Sequence, residues 1–144
     1  MIARVAILVA SLLLATAPAM AQSMNAAAAQ RFVTGKYFAF TCFEGSRGLG
    51  RIDHDGSVIG TIQIRGSGPV RPIRLPPGTL KVKGEAACAA LKGLAFEPCF
   101  NLNRTGEQSF RASLSGLGSI AHCDFVRSMN VADVKAGTLL PPLH

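Results

Sequence analysis

The chain has no tryptophan, a single tyrosine and only eight carboxylates against fifteen lysines and arginines in 144 residues. Sequence-tolerant nucleic-acid binding relies on aromatic platforms for base stacking, so the formal charge of +7 does not by itself imply nucleic acid, and no such partner is expected. No apolar run reaches the roughly 20 residues a membrane-spanning helix requires. No C-x-x-C is present, and Cys42, Cys88, Cys99 and Cys123 lack the paired close spacing of a zinc site. G-x-S-x-G, H-E-x-x-H and a Walker lysine are also missing. Catalysis needs a nucleophile or base with an activating partner in reach. With no motif supplying one, the expectation is a non-enzyme with no metal or cofactor.

What is present begins with an export signal. Arg4 is the only early charge; an apolar run follows from Val5 to Leu14, then the helix-breaking Pro18, and Ala19-Met20-Ala21 form a small-x-small cleavage pattern. Residues 1–21 therefore read as a signal peptide, and the apolar run, even counted to Ala17, is too short for an anchor. No cysteine follows until Cys42, which argues against a lipid-modified N-terminus. Cleavage leaves 123 residues with a formal charge of +6, enough for one core. The expected product is a soluble periplasmic or secreted protein: a single domain over 22–127 and a flexible tail over 128–144 ending Leu-Leu-Pro-Pro-Leu-His.

In an oxidising compartment four cysteines imply two disulfides, with three pairings open in principle. Cys88 with Cys99 and Cys42 with Cys123 is the favoured set, because the first closes a short local loop and the second ties the first long strand to the last. Chain entropy then assigns about 3 kcal/mol to the short loop and about 4.5 kcal/mol to the long one.

Local patterns favour strands. Asn25 before four alanines, Gln30, Arg31, Phe32 and Val33, with Gly35 beyond, predicts one short capped helix. From Lys36 onward, short apolar runs alternate with Gly, Pro, Asn and Asp at intervals of about ten residues. Strands are expected over 37–43, 49–52, 58–65, 70–75, 80–83, 96–102, 109–115 and 120–126. Gly45 to Gly48 and Asn103 to Glu107 read as turns, Asp53-His54-Asp55-Gly56 as a hairpin turn, and Pro72 places its strand at an edge or bulge. Residues 85–91 stay open between helix and strand. Leu80 and Val82 are expected to face a core, with Lys81 and Lys83 in water. Eight strands fit a small antiparallel barrel, with a two-sheet sandwich as the alternative.

The capped helix, the Thr34-Gly35-Lys36 step, the Asp55-Gly56 hairpin, and Cys88 followed by Cys99-Phe100 resemble small uncharacterised bacterial exported proteins of lipocalin-like shape. The barrel-plus-disulfide plan is more distantly similar to periplasmic lysozyme inhibitors. These motifs span residues 25–126 and are turns and cysteines. They imply a fold and carry over no functional residue.

Other constellations fail on chemistry. Asp53-His54-Asp55-Gly56 begins like a calcium loop, yet position twelve is Ile64 rather than a bidentate Glu. Gly45, Gly48 and Gly50 lack the helix N-terminus a phosphate cradle needs. Asn103-Arg104-Thr105 matches a glycosylation sequon, which matters only in a eukaryotic secretory pathway. Arg65, Lys81, Lys83 and Arg111 are the candidate anion-binding face, since neighbouring strands would gather them on one outer surface and attract anionic polymers or lipid headgroups. Three functions follow as expectations: an exported binding or interaction module for an envelope protein or small ligand, an inhibitor of an envelope hydrolase or protease, or a basic surface for anionic envelope polymers.

Overall fold

The computed structural model describes residues 22–118 and 120–128. The expected signal peptide and residues 129–144 of the expected tail lie outside them.

The helix forms as its sequence dictates. In α1 (Ala26–Val33) the Asn25 side chain accepts from Ala28 N at 2.9 Å, the Thr34 N–H closes onto Gln30 O, and Gly35 takes φ 74° to leave the helix. Eight residues are too few for a stable isolated helix. Burial of Ala29 and Val33 against Phe38, Leu102 and Phe110 holds it in place.

Ten strands follow the chain: β1 (Gln22–Ser23), β2 (Tyr37–Cys42), β3 (Arg47–Ile52), β4 (Val58–Gln63), β5 (Arg71–Leu75), β6 (Leu80–Lys83), β7 (Ala86–Ala89), β8 (Cys99–Gly106), β9 (Ser109–Leu114) and β10 (His122–Arg127). All strand pairs are antiparallel, in the order β5-β4-β3-β2-β10-β9-β8-β7-β6, with β1 on the upper part of β8. A single sheet excludes the sandwich. It curls around α1 as a half-barrel, and the expected closure is not made, because β5 and β6 remain unpaired edges.

Their sequences explain the opening. Pro72 interrupts the donors of β5 and stands at an edge as expected, and Pro76 and Pro77 remove two further N–H groups from the link to β6. Among the described residues one corner is tied, where Gly78 N donates to Asp55 O (2.7 Å) and Leu80 N to Gly56 O (3.0 Å). At this corner Gly56 has φ 80°, and a Cβ on it would lie 2.3 Å from Leu80 O, so glycine alone fits.

Local expectations also change. β1 and β7 are additional strands, and β7 resolves the ambiguous 85–91 stretch. β8 continues through Asn103 to Gly106, leaving only Glu107 and Gln108 as the turn, while Phe96 to Pro98 precede it. Gly48 and Gly50 lie within β3, opposite Phe40 and Phe38. Val82 lines the concavity but is 44% exposed, because among the described residues β6 is the edge of the sheet.

Cross-strand register places Phe38 and Phe40 of β2, Phe125 of β10, Phe110 of β9 and Leu102 of β8 on the face that receives α1. Phe110 stacks flat on Phe125 (centroids 4.5 Å, 4°) and edge-on against Phe38 (5.1 Å, 79°). Such pairs contribute about 0.5–1.5 kcal/mol each beyond their buried area. Both expected disulfides are present, Cys42–Cys123 between β2 and β10 and Cys88–Cys99 between β7 and β8, each joining residues directly opposite across the ladder.

Candidate functional site

Small residues on both sides of the concavity create its cavity. Ala26 and Ala29 on α1 face Ala86 and Ala87 of β7 and Ala112 of β9, while Phe100, Leu102, Phe110 and Phe125 form the floor. A space of about 260 Å³ remains between them. This space, open between the helix and the sheet, is the candidate binding site. Its mouth lies between α1 and the Leu80–Ala87 edge, beside the Asp53–Gly56 turn.

Polar groups occupy the rim. Gln30, His54, Lys81 and Glu85 are exposed around the mouth, with Asp53 half-buried beside them. The Thr34 hydroxyl is buried but already donates to Gln30 O. Arg51 holds Asp53, with Nε 2.9 Å from Oδ1, and covers the Tyr37 ring at 5.2 Å. The lining is therefore suited to an apolar guest; its charged members among the described residues are Asp53, Lys81 and Glu85. Among the described residues no group of three or more His, Cys, Asp or Glu side chains is placed to hold a metal.

The Asp53–Gly56 segment is a hairpin turn, with Gly56 N donating to Asp53 O at 3.0 Å. The Ser57 hydroxyl (2.6 Å) and amide (2.9 Å) both donate to Asp55 Oδ1 and hold its carboxyl below the usual range.

The four residues of the candidate anion face do not form one cluster. Arg65 lies in the β4–β5 connection at φ 51°, its backbone N–H donating to Ser46 Oγ at 3.0 Å. Arg111 in β9 makes a two-pronged pair with Asp124 (2.7 and 3.0 Å), which raises its pKa further. Lys81 and Lys83 are three strands away in β6; Lys83 is bound to Glu97, whose carboxyl is lowered first by that hydrogen bond and then by the lysine charge. Two of the four cations therefore already have carboxylate partners. Asn103 of the sequon sits in mid-strand, opposite Arg111 and Ser23.

The cavity is the feature that motif reasoning misses, because its signal is an excess of small residues rather than a reactive group. Alanines at 26–29 on the helix and at 86–87 on the sheet carry that signal. No family model, curated protein or solved structure matches the chain. Among the described residues no helix is long and apolar enough to cross a membrane.

Proposed function

We propose that this protein is an exported, non-enzymatic binding protein that holds a small apolar molecule, or the end of an acyl chain, between α1 and the concave face of its sheet. The observation that carries this reading is the apolar cavity of about 260 Å³ with its polar groups confined to the rim. Its size falls just below the roughly 300–1,000 Å³ of typical small-molecule sites, which favours a compact or slender guest. Export is supported by the Ala19-Met20-Ala21 cleavage pattern and by two disulfides, which persist in oxidising compartments.

The neutral fluorophore N-phenyl-1-naphthylamine tests the reading. Saturable uptake with one site per chain is expected, and Ala87→Phe, which fills the cavity from β7, is expected to weaken it about tenfold or more. Native mass spectrometry of protein from its own host is expected to show an apolar adduct. Failure to take up the fluorophore, together with no adduct, would overturn the proposal. Intact mass from the native host checks export separately: residues 1–21 still attached, or four alkylatable thiols, would contradict it.

A further inference from the structure

The open edge of β6 joins an unanswered backbone to an alternating sequence. Leu80, Lys81, Val82 and Lys83 pair with Ala89, Cys88, Ala87 and Ala86 of β7. In an antiparallel ladder alternate residues turn their N–H and C=O toward opposite neighbours. Leu80 N donates away from β7, to Gly56 O at 3.0 Å, so the backbone of Val82, two residues on, also faces the outer side. The Ala90 N bond to Thr79 O (2.8 Å), made on the β7 side, fixes the same alternation. Among the described residues no group bonds Val82 on its outer side, where β6 is the edge of the sheet.

Side chains alternate along the same strand. Leu80 and Val82 line the cavity, Val82 opposite Ala87, and Lys81 and Lys83 fall between them in the opposite phase. Lys83 binds Glu97, whereas Lys81 has no carboxylate within ion-pair distance among the described residues. Of the acids at the mouth, Asp53 is held by Arg51 and Glu85 lies beyond Lys83 in the β6–β7 turn. A strand added at this edge repeats the alternation: the residue opposite Val82 points its side chain to the cavity, and its neighbours point to the lysine side.

A purely apolar guest fills the cavity and leaves Val82 unpaired. An extended peptide answers both, because strand addition draws affinity from main-chain bonds and selectivity from alternate side chains. The lysine side favours acidic neighbours, since opposite charges across a strand pair attract and like charges repel.

We infer that β6 is a docking edge for an extended acidic peptide of a partner protein. One peptide residue pairs with Val82 through reciprocal N–H···O=C bonds and places an apolar side chain in the cavity, with a carboxylate beside it facing Lys81. This docking rests on the cavity being a binding site, so its test has readouts that do not depend on the fluorophore. The probe is acetyl-Thr-Glu-Leu-Glu-Thr-amide, titrated into isotope-labelled mature protein and followed by NMR. In the free protein the Val82 amide is expected to exchange with solvent much faster than that of Lys81, which faces β7. A protected Val82 amide would show that this chain or a second copy already holds the edge, and would overturn the inference. On titration the Val82 amide and the Ala87 methyl are expected to shift together. Methylating the leucine nitrogen, which removes the donor and keeps the side chain, is expected to weaken binding about tenfold, as is leucine to serine. Exchanging both glutamates for lysine is also expected to weaken it about tenfold, and Lys81→Glu to reverse that preference. An unshifted Val82, or binding indifferent to N-methylation or to charge reversal, would overturn the inference. Uptake of N-phenyl-1-naphthylamine without peptide binding would leave the apolar-guest reading standing and remove this one. Peptide shifts at Val82 and Ala87 without fluorophore uptake would do the reverse.

Discussion

At the scale of single residues, Gly56 combines two duties. Its positive φ turns the β3–β4 hairpin, and its missing side chain admits the Leu80 carbonyl that ties β6 to that hairpin. Gly56→Ala would incur about 1–2 kcal/mol for left-handed backbone and would also push the Leu80 carbonyl aside. A total loss of about 2–4 kcal/mol in urea unfolding is expected, together with a looser cavity mouth read as faster exchange of the Leu80 amide. Asp55 and Glu97 lead to a pH dependence. Both carboxyls are held below their ordinary range, Asp55 by Ser57 and Glu97 by Lys83. A depressed carboxyl contributes stability that is complete above its unfolded pKa, about 4, and is lost as pH falls through the lower folded value. Melting temperature is therefore expected to be flat from about pH 7 to pH 5 and to fall below about pH 4. Ser57→Ala is expected to reduce that acid sensitivity. The Asp-Gly pair was legible as a turn, but the contact with Leu80 was not, since it depends on which strand the curl brings alongside.

At the scale of elements, α1 depends on its cap and its buried side. Asn25→Ala removes the acceptor for Ala28 N and is expected to destabilise the domain by about 1 kcal/mol, measurable by thermal or urea unfolding. The helix, the hairpin turn, the edge position of Pro72 and both cysteine pairings were readable because each depends on local chemistry or on chain order. β7 was not readable: Ala86-Ala87-Cys88-Ala89 has neither branched nor aromatic side chains, and it is a strand because β6 and β8 pair with it on both sides. The turn expected at Asn103 failed for a similar reason. Asn103 and Arg104 look like loop residues in isolation, yet both have partners in β9 and β1. The cavity combines these two kinds of information: its alanines are visible in the sequence, but their convergence across α1, β7 and β9 is tertiary.

At the scale of the whole molecule, the open barrel poses a problem of edges, since unpaired strands are templates for association. Both edges are basic. β5 carries Arg71 and Arg74 around Pro72, and β6 carries Lys81 and Lys83, all of them exposed. Joining β5 to β6 would bring four cations into adjacent strands, one of them, Lys83, paired with Glu97. The same repulsion opposes pairing of the edges of two copies. Part of the basic excess in residues 47–83 thus lies on the two open edges, where it acts against their pairing. Replacing Pro72, Arg74, Lys81 and Lys83 together by threonine restores an N–H donor and removes three charges from the edges. Sedimentation velocity of that variant at low salt is expected to show dimers or larger species at concentrations where the parent is monomeric. In the parent, about 0.5 M salt, which shortens the screening length to a few ångströms, is expected to shift the equilibrium in the same direction by a smaller amount, because Pro72 still interrupts the β5 edge. A variant that stays monomeric with neither Pro72 nor the three cations would show that neither charge nor proline is what keeps the edges from pairing.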